Sequence, residues 1–201
     1  MKKTEIPQQY LAEREKIQTG DIILFSDKSL WSPISRTIQL FTKSKYQHVG
    51  IALVTEKEGV VFIFESTTIG MGYKEGVQIN LLSDRVRTLG PKHKCFVRHL
   101  NEPLKRSHKA KLWSMRNKYQ ETKYETSLLD LFLAGVGWTR DRGGSEDKAI
   151  FCSELVAMCF QYIDIIDPSR HADAYNPSDF STEKHLDTLN GTKWSDEIPL
   201  N

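Results

Sequence analysis

The first half of the chain alternates between short apolar runs and turns that contain glycine or charged residues. The runs are rich in β-branched and aromatic residues, as in HVGIALV and VVFIFE, and such runs are typical of β-strands. Because turn residues separate them, we predict a mainly antiparallel sheet. The predicted strands cover residues 21–25, 48–54, 60–65, 77–82 and 95–100.

The second half of the chain changes to a helical period. Apolar residues recur every three or four positions from Leu104 to Tyr119, from Leu128 to Val136, and in a last helix that begins near Cys152. A short helix is also predicted between the first two strands, at 32–41, and a polar loop at 139–148. Strands followed by helices predict an α+β fold class.

The composition is that of a folded protein with mixed charges. The chain has 201 residues, 39% of them apolar, so we expect one domain over residues 1–201 with a substantial core. A net charge of +2 does not favour a nucleic-acid partner, and the basic stretch 105–118 is interpreted as the solvated face of a helix. The sequence contains neither a secretory signal nor a run long enough to span a membrane. It is therefore expected to be soluble and cytoplasmic.

One of the three cysteines differs from the other two in its surroundings. An odd number of cysteines suits a reducing compartment better than a disulfide framework, and the chain has no CxxC metal motif. Cys95 and Cys159 lie within a predicted strand and a predicted helix, so we expect them to pack in the core. Cys152 follows a polar loop and begins a helix, where unpaired backbone N–H groups favour a thiolate and an oxyanion. It is a candidate nucleophile, with a small buried hydrophobe as the alternative.

His48 is the candidate base for that thiol. The period of two along its strand places it on one face with Gly50 and Ala52. Two such small residues would leave room beside the imidazole for a facing helix or a substrate, although a structural histidine is the alternative. The other histidines lie in polar settings and are expected at the surface: His93, His99, His108, His171 and His185.

A catalytic imidazole needs a polar partner that fixes its tautomer and stabilises its charged form. Glu65 ends the strand next to that of His48, and a carboxylate after an apolar run is costly to bury unless it is paired. We therefore predict that Glu65 orients His48, with exposure at the strand end as the alternative. Asp21, at a turn that enters the first strand, is a second candidate partner.

Short segments along the chain resemble one known family when they are taken in order: TGDIILFS, QHVGIAL, FES, FCSELV and NPSDF. Over residues 19–182 the chain is similar to the circularly permuted, YiiX-like and poxvirus-type branch of the NlpC superfamily of papain-like cysteine hydrolases. In that branch the histidine strand precedes the cysteine helix, as His48 precedes Cys152 here. The resemblance implies that Cys152 is the nucleophile, His48 the base and Glu65 the acidic residue. It also implies an antiparallel sheet packed on helices, with the cysteine at a helix N-terminus.

These residues lead us to expect a cysteine hydrolase that cleaves an amide (peptide or acyl-amide) or an ester bond through an acyl-enzyme, without a metal or organic cofactor. The first alternative is a lipid-directed acyl hydrolase or acyltransferase similar to lecithin-retinol acyltransferase, which an apolar groove lined by residues 128–138 would favour. A non-catalytic binding module is the second alternative, and the presence of all three candidate residues disfavours it. The residues carry no signal for an oligomeric state.

Overall fold

The predicted strands form one antiparallel sheet in a computed structural model that describes residues 5–27, 44–67, 75–90, 92–120, 122–123 and 150–201. Within these residues the strands are β1 (Ile22–Asp27), β2 (Tyr46–Val54), β3 (Val61–Thr67), β4 (Gly76–Leu81), β5 (His93–Arg98) and β6 (Ile198–Pro199). They form a six-stranded sheet in the order β4-β3-β2-β1-β5-β6, and neighbouring strands are antiparallel. The mainly antiparallel sheet that we predicted is confirmed.

Helices accompany the sheet, mostly in the second half of the chain. The helix predicted near Cys152 is Cys152–Tyr162, and the helix predicted from Leu104 to Tyr119 is Arg106–Tyr119. Two short helices, Gln8–Glu13 and Leu82–Arg87, were not predicted, and the second begins at a residue that the pattern had assigned to a strand. The α+β class is confirmed.

Some of the predicted elements lie outside the described residues, namely the helix at 32–41, the helix at 128–136 and the loop at 139–148. In the part of the chain that the structure describes, no helix combines the length and the apolar character that crossing a bilayer requires. Two single-turn 3-10 helices, Ala172–Ala174 and Pro177–Phe180, follow the last long helix.

Each face of the sheet is buried in its own apolar cluster. The face that packs against the helix Cys152–Tyr162 contributes Ile22, Leu24, Val49, Ile51 and Leu53, which meet Leu155, Val156 and Cys159. The opposite face packs against the helices Gln8–Glu13 and Leu82–Arg87, and its cluster includes Ile23, Phe25, Ala52, Ile63 and Cys95. Cys95 and Cys159 have no solvent exposure, and this burial raises the pKa of both thiols.

The space beside Gly50 is not available to a helix or a substrate. A Cβ atom at Gly50 would lie 2.7 Å from Cγ1 and 2.8 Å from Cδ1 of Ile63, so the Ile63 side chain fills this space. The helix that begins at Cys152 packs on the other face of the sheet, against Val49 and Ile51. The interpretation of the small residues near His48 as an opening was therefore wrong. Gly50 is small because a side chain of the adjacent strand crosses over it.

We expect Gly50→Ala to destabilise the protein by about 1–3 kcal/mol, because the added methyl group overpacks against Ile63. The free energy of unfolding in urea measures this penalty. Ile63→Ala removes both Cγ1 and Cδ1, so the same glycine substitution should cost less in an Ile63→Ala background. Equal penalties in the two backgrounds would contradict this packing.

Candidate active site

His48 lies near the start of β2, where the pairing with β1 is irregular. Phe25 of β1 is opposite His48, but Ser26 is opposite Tyr46, so Gln47 is an extra residue in β2. Such a bulge bends the strand locally and changes the direction of nearby side chains. The rings of Phe25 and His48 are in contact, with centroids 5.3 Å apart and planes tilted by 47°. The bulge and this ring together set the position of the imidazole.

Glu65 lies on β3 beside the imidazole and has no solvent exposure. Its Oε2 atom is 2.6 Å from Nε2 of His48. An ionised carboxylate can only accept hydrogen bonds, so Nε2 of His48 donates to it. In the neutral ring this leaves Nδ1 without a proton. The carboxylate therefore selects the tautomer in which Nδ1 can accept a proton from another group.

Cys152 is the first residue of its helix and is buried, with 3% of its surface exposed. It is close enough to His48 to raise the pKa of the imidazole. Because Glu65 engages Nε2, the ring nitrogen that remains for the thiol is Nδ1. The structure thus brings the three residues singled out in the sequence into one series, with the imidazole between the thiol and the carboxylate.

Buried hydrogen bonds hold the chain on both sides of Cys152. The Ser66 hydroxyl donates to the Ile150 carbonyl over 2.6 Å, and the Ser153 hydroxyl donates to the Tyr175 carbonyl over 2.7 Å. Ser66 directly follows Glu65 on β3, so one strand presents the carboxylate and also holds the chain that leads into the cysteine helix. This shared strand couples the position of the thiol to that of the acid.

The motif NPSDF supports the cysteine helix from outside. Asn176 caps the 3-10 helix Pro177–Phe180 by accepting from the Ser178 N–H, and the Asp179 carboxylate accepts from the Asn176 N–H over 2.8 Å. Phe180 stacks on Tyr175 with ring centroids 5.7 Å apart. The motif therefore fixes the residue whose carbonyl accepts from Ser153. It contributes to the site through the backbone.

The charges of the site are strongly perturbed. Burial would raise the pKa of Glu65, but the nearby Arg85 charge and the hydrogen bond with His48 lower it to about 2. Burial would lower the pKa of His48, but the hydrogen bonds with Cys152 and Glu65 raise it to about 9. Both shifts favour an ionised Glu65 beside a protonated imidazole. Such an environment stabilises the imidazolium that forms when His48 accepts a proton.

Asp21, the second candidate partner of His48, contacts His99 instead. Its Oδ2 atom is 2.6 Å from Nδ1 of His99, and its Oδ1 atom accepts from the Leu100 N–H over 2.9 Å. Asp21 has no solvent exposure, while His99 is partly buried and also lies 3.4 Å from Glu13. The expectation that His99 lies in a purely surface setting was wrong. Asp21 belongs to this second histidine pair.

Sequence reasoning missed two residues that contact Glu65. Arg85 donates from Nε to Oε1 over 2.9 Å and from Nη2 to Oε2 over 3.3 Å, and Asn80 donates to Oε1 over 3.0 Å. Arg85 lies on the unpredicted helix Leu82–Arg87, and Asn80 lies on β4 next to Glu65. The sequence did indicate that a buried Glu65 carboxylate needs compensating partners, because burying an unpaired carboxylate is costly. Only the folded chain identifies which residues meet it.

The two histidine and carboxylate pairs allow a controlled test of the partner of His48. We expect Glu65→Gln to lower the pKa of His48 by at least about one unit, because the anion that stabilises the imidazolium is lost. Asp21→Asn should lower the pKa of His99 and leave that of His48 unchanged. An NMR titration of the histidine ring protons reads both residues in each variant. A drop in the His48 pKa in Asp21→Asn alone would contradict the assignment.

Comparison with known proteins adds an independent result. The family model of the permuted papain-like amidases, YaeF/YiiX, C92 family, matches residues 16–184. Among solved structures, the crystal structure of the metalloprotein YiiX from Escherichia coli O157:H7 is similar, with 27% identity and a TM-score of 0.49. The match covers 72% of this chain and 64% of the YiiX chain, so this chain spans less than two thirds of the length of YiiX. No curated protein matches the chain at a significant level.

YiiX itself is described as a metalloprotein. In the described ranges of the present chain, no three or more His, Cys, Asp or Glu side chains are grouped so that they could hold a metal ion. Because the matching family model spans most of the chain, this protein belongs to the permuted papain-like amidase family C92, a family of thiol hydrolases related to YaeF and YiiX.

Proposed function

We propose that this chain hydrolyses an amide bond in a peptide or acyl-amide, with Cys152 as nucleophile, His48 as general base and Glu65 as the residue that orients His48. The observation that carries the proposal is the 2.6 Å hydrogen bond between His48 and Glu65, with the Cys152 thiol close enough to raise the pKa of the same imidazole. A nucleophile, a base within reach and a third group that orients the base are what thiol catalysis requires. The family description favours an amide over a lipid ester.

In the first half-reaction the proton of the Cys152 thiol passes to Nδ1 of His48. The thiolate attacks the carbonyl carbon, so that a C–S bond forms and the negative charge moves to the carbonyl oxygen. Cys152 begins its helix, and backbone N–H groups in the first turn of a helix have no intrahelical acceptor. These groups stabilise both the thiolate and the oxyanion. Glu65 stabilises the imidazolium through Nε2.

The remaining steps return each proton that His48 accepts. The tetrahedral intermediate collapses, the C–N bond breaks, and His48 gives its proton to the leaving amine. Water then attacks the thioester and gives a proton to His48. The C–S bond breaks, and the Cys152 thiolate recovers the proton. One amide and one water yield one amine and one carboxylic acid, with no oxidant or reductant.

Cys152→Ala should lower the turnover of acyl-amide substrates by on the order of 10⁴-fold or more, because the covalent route is lost. A panel of chromogenic acyl-amides, esters and thioesters, assayed on wild type and variant in parallel, measures the loss and ranks the bond types. Cys159→Ala, two turns further along the same helix, is the matched control and should keep its activity. Undiminished turnover in Cys152→Ala would refute the proposed nucleophile.

Thiol reactivity tests the pair without a known substrate. At pH 5.5, iodoacetamide should alkylate Cys152, because the imidazolium of His48 and the helix N-terminus favour the thiolate. Cys95 and Cys159 should stay unlabelled, since burial raises the pKa of both thiols. His48→Ala should lose most of the labelling at Cys152, and mass spectrometry of the labelled peptides reads all three sites. If Cys152 were labelled equally in wild type and in His48→Ala, thiol and imidazole would be uncoupled.

A further inference from the structure

Arg85 is a buried charge that the proposed reaction does not yet use. Its guanidinium makes a two-point contact with Glu65, with Nε 2.9 Å from Oε1 and Nη2 3.3 Å from Oε2. Only 12% of its side chain is exposed, and Glu65 is not exposed at all. A two-point contact of this kind fixes the orientation of a carboxylate as well as its charge. Arg85 therefore acts on the residue that orients the base.

The need for this contact follows from the change of charge at His48. When His48 is neutral, a carboxylate removed from solvent would have no cation beside it unless another residue supplied one. A buried and unpaired carboxylate takes up a proton rather than remain charged. A guanidinium keeps its charge throughout the ordinary pH range. Arg85 thus pairs with Glu65 at every stage of the reaction, whether or not the imidazole is protonated.

A protonated Glu65 would do more than remove a charge. A carboxylic acid can donate a hydrogen bond to Nε2, and the neutral imidazole would then carry its proton on Nδ1. In that tautomer Nδ1 cannot accept the proton of the Cys152 thiol. By keeping Glu65 ionised, Arg85 keeps the imidazole in the tautomer that the proposed reaction needs. This distinguishes Arg85 from a residue that only contributes to packing.

Neighbouring groups hold Arg85 in this position. The Arg85 guanidinium lies 5.0 Å from the centre of the Phe25 ring, and the same ring is in contact with the imidazole of His48. Asn80 donates to Oε1 of Glu65 over 3.0 Å, and a second hydrogen bond joins Asn80 to Gln78. One aromatic ring of β1 therefore packs against both the base and the guanidinium, while β4 holds the carboxylate.

The other titratable groups near Glu65 do not replace Arg85. His48 changes its charge during the proposed reaction, and the Cys152 thiol affects the pKa of His48 rather than that of Glu65. Cys95 on β5 is close enough to interact with both Arg85 and Glu65, but burial raises its pKa, so it stays a neutral thiol. Among these neighbours, Arg85 alone offers a constant positive charge.

We propose that Arg85 is a positioning residue, which keeps Glu65 ionised and thereby holds His48 in the tautomer that accepts the proton of Cys152. This inference rests on the proposed thiol and imidazole mechanism. It adds a fourth member to the site, on the helix Leu82–Arg87. It also predicts that the acid side of the pH profile depends on a residue that touches neither the substrate nor the thiol.

The experiment measures the rate of Cys152 alkylation by iodoacetamide between pH 4 and 8 in wild type, Arg85→Met, Arg85→Lys and His48→Ala. In Arg85→Met the acid limb should move to higher pH by about one unit or more, so that labelling at pH 5.5 falls roughly tenfold. Arg85→Lys keeps a positive charge but loses the two-point contact, so its acid limb should lie between those of wild type and Arg85→Met. Arg87→Met is the matched control, because Arg87 pairs with Asp84 on the same helix, and it should match wild type.

A structural role would change stability without moving the pH profile, so unfolding in urea and the ¹⁵N shifts of the His48 ring are measured on the same variants. At pH 7 the shifts should report the doubly protonated ring in wild type, in keeping with the His48 pKa of about 9, and a partly neutral ring that includes the Nδ1–H tautomer in Arg85→Met. If Arg85→Met and Arg85→Lys both keep the wild-type limb while His48→Ala loses its labelling, this inference alone is overturned. If His48→Ala is labelled like wild type, the proposed mechanism fails and the role of Arg85 fails with it. Should Arg85→Met not fold, Arg85→Gln removes the charge and keeps a hydrogen-bond donor, and a wild-type limb in Arg85→Gln overturns the inference.

Discussion

The buried carboxylate of Glu65 is the constraint around which the site is arranged. A charged group without solvent contact needs compensating partners, and here it has three, one on each of β2, β4 and the helix Leu82–Arg87. Each of these partners is fixed in turn by the element that carries it. Burial of this one carboxylate therefore constrains the relative positions of β2, β4 and the helix Leu82–Arg87. Two of the three, Arg85 and His48, also lower the pKa of Glu65.

The thiol reaches this network from the other side of the sheet. Cys152 belongs to the apolar cluster of the face that carries Val49 and Ile51, whereas Phe25 beside His48 belongs to the cluster of the opposite face. The bulge at the start of β2 and the helix that begins at Cys152 bring the two faces together at one end of the strand. The proposed nucleophile and the ring beside the proposed base thus pack in separate apolar clusters. Ser66 adds a direct tie, since it bonds the chain ahead of the helix.

The order of the proposed catalytic residues along the chain is of little physical consequence. His48 precedes Cys152 here, as is typical of the permuted branch of the papain-like hydrolases. What the proposed chemistry requires is a thiol at a helix start, an imidazole on the adjacent strand and an acid behind it. A sheet can offer these positions whichever element comes first, because pairing between strands depends on hydrogen bonds and packing rather than on chain order. The motif NPSDF fixes the backbone next to Tyr175, whose carbonyl accepts from Ser153 beside Cys152.

The sequence by itself determined the elements with strong local signals. The β-branched runs predicted the five longer strands, and the apolar period predicted the helix that begins at Cys152, because both signals depend on neighbouring residues. The candidate residues Cys152, His48 and Glu65 were also chosen from local context and from the family resemblance. The short helix Leu82–Arg87 was missed because it follows a strand directly and is too short to show a period. Only the tertiary structure decided that Ile63 fills the space beside Gly50, that Asp21 pairs with His99, and that Arg85 reaches Glu65. These contacts join residues far apart in sequence or on different elements, and their partners are selected by the geometry of burial, which no local pattern contains.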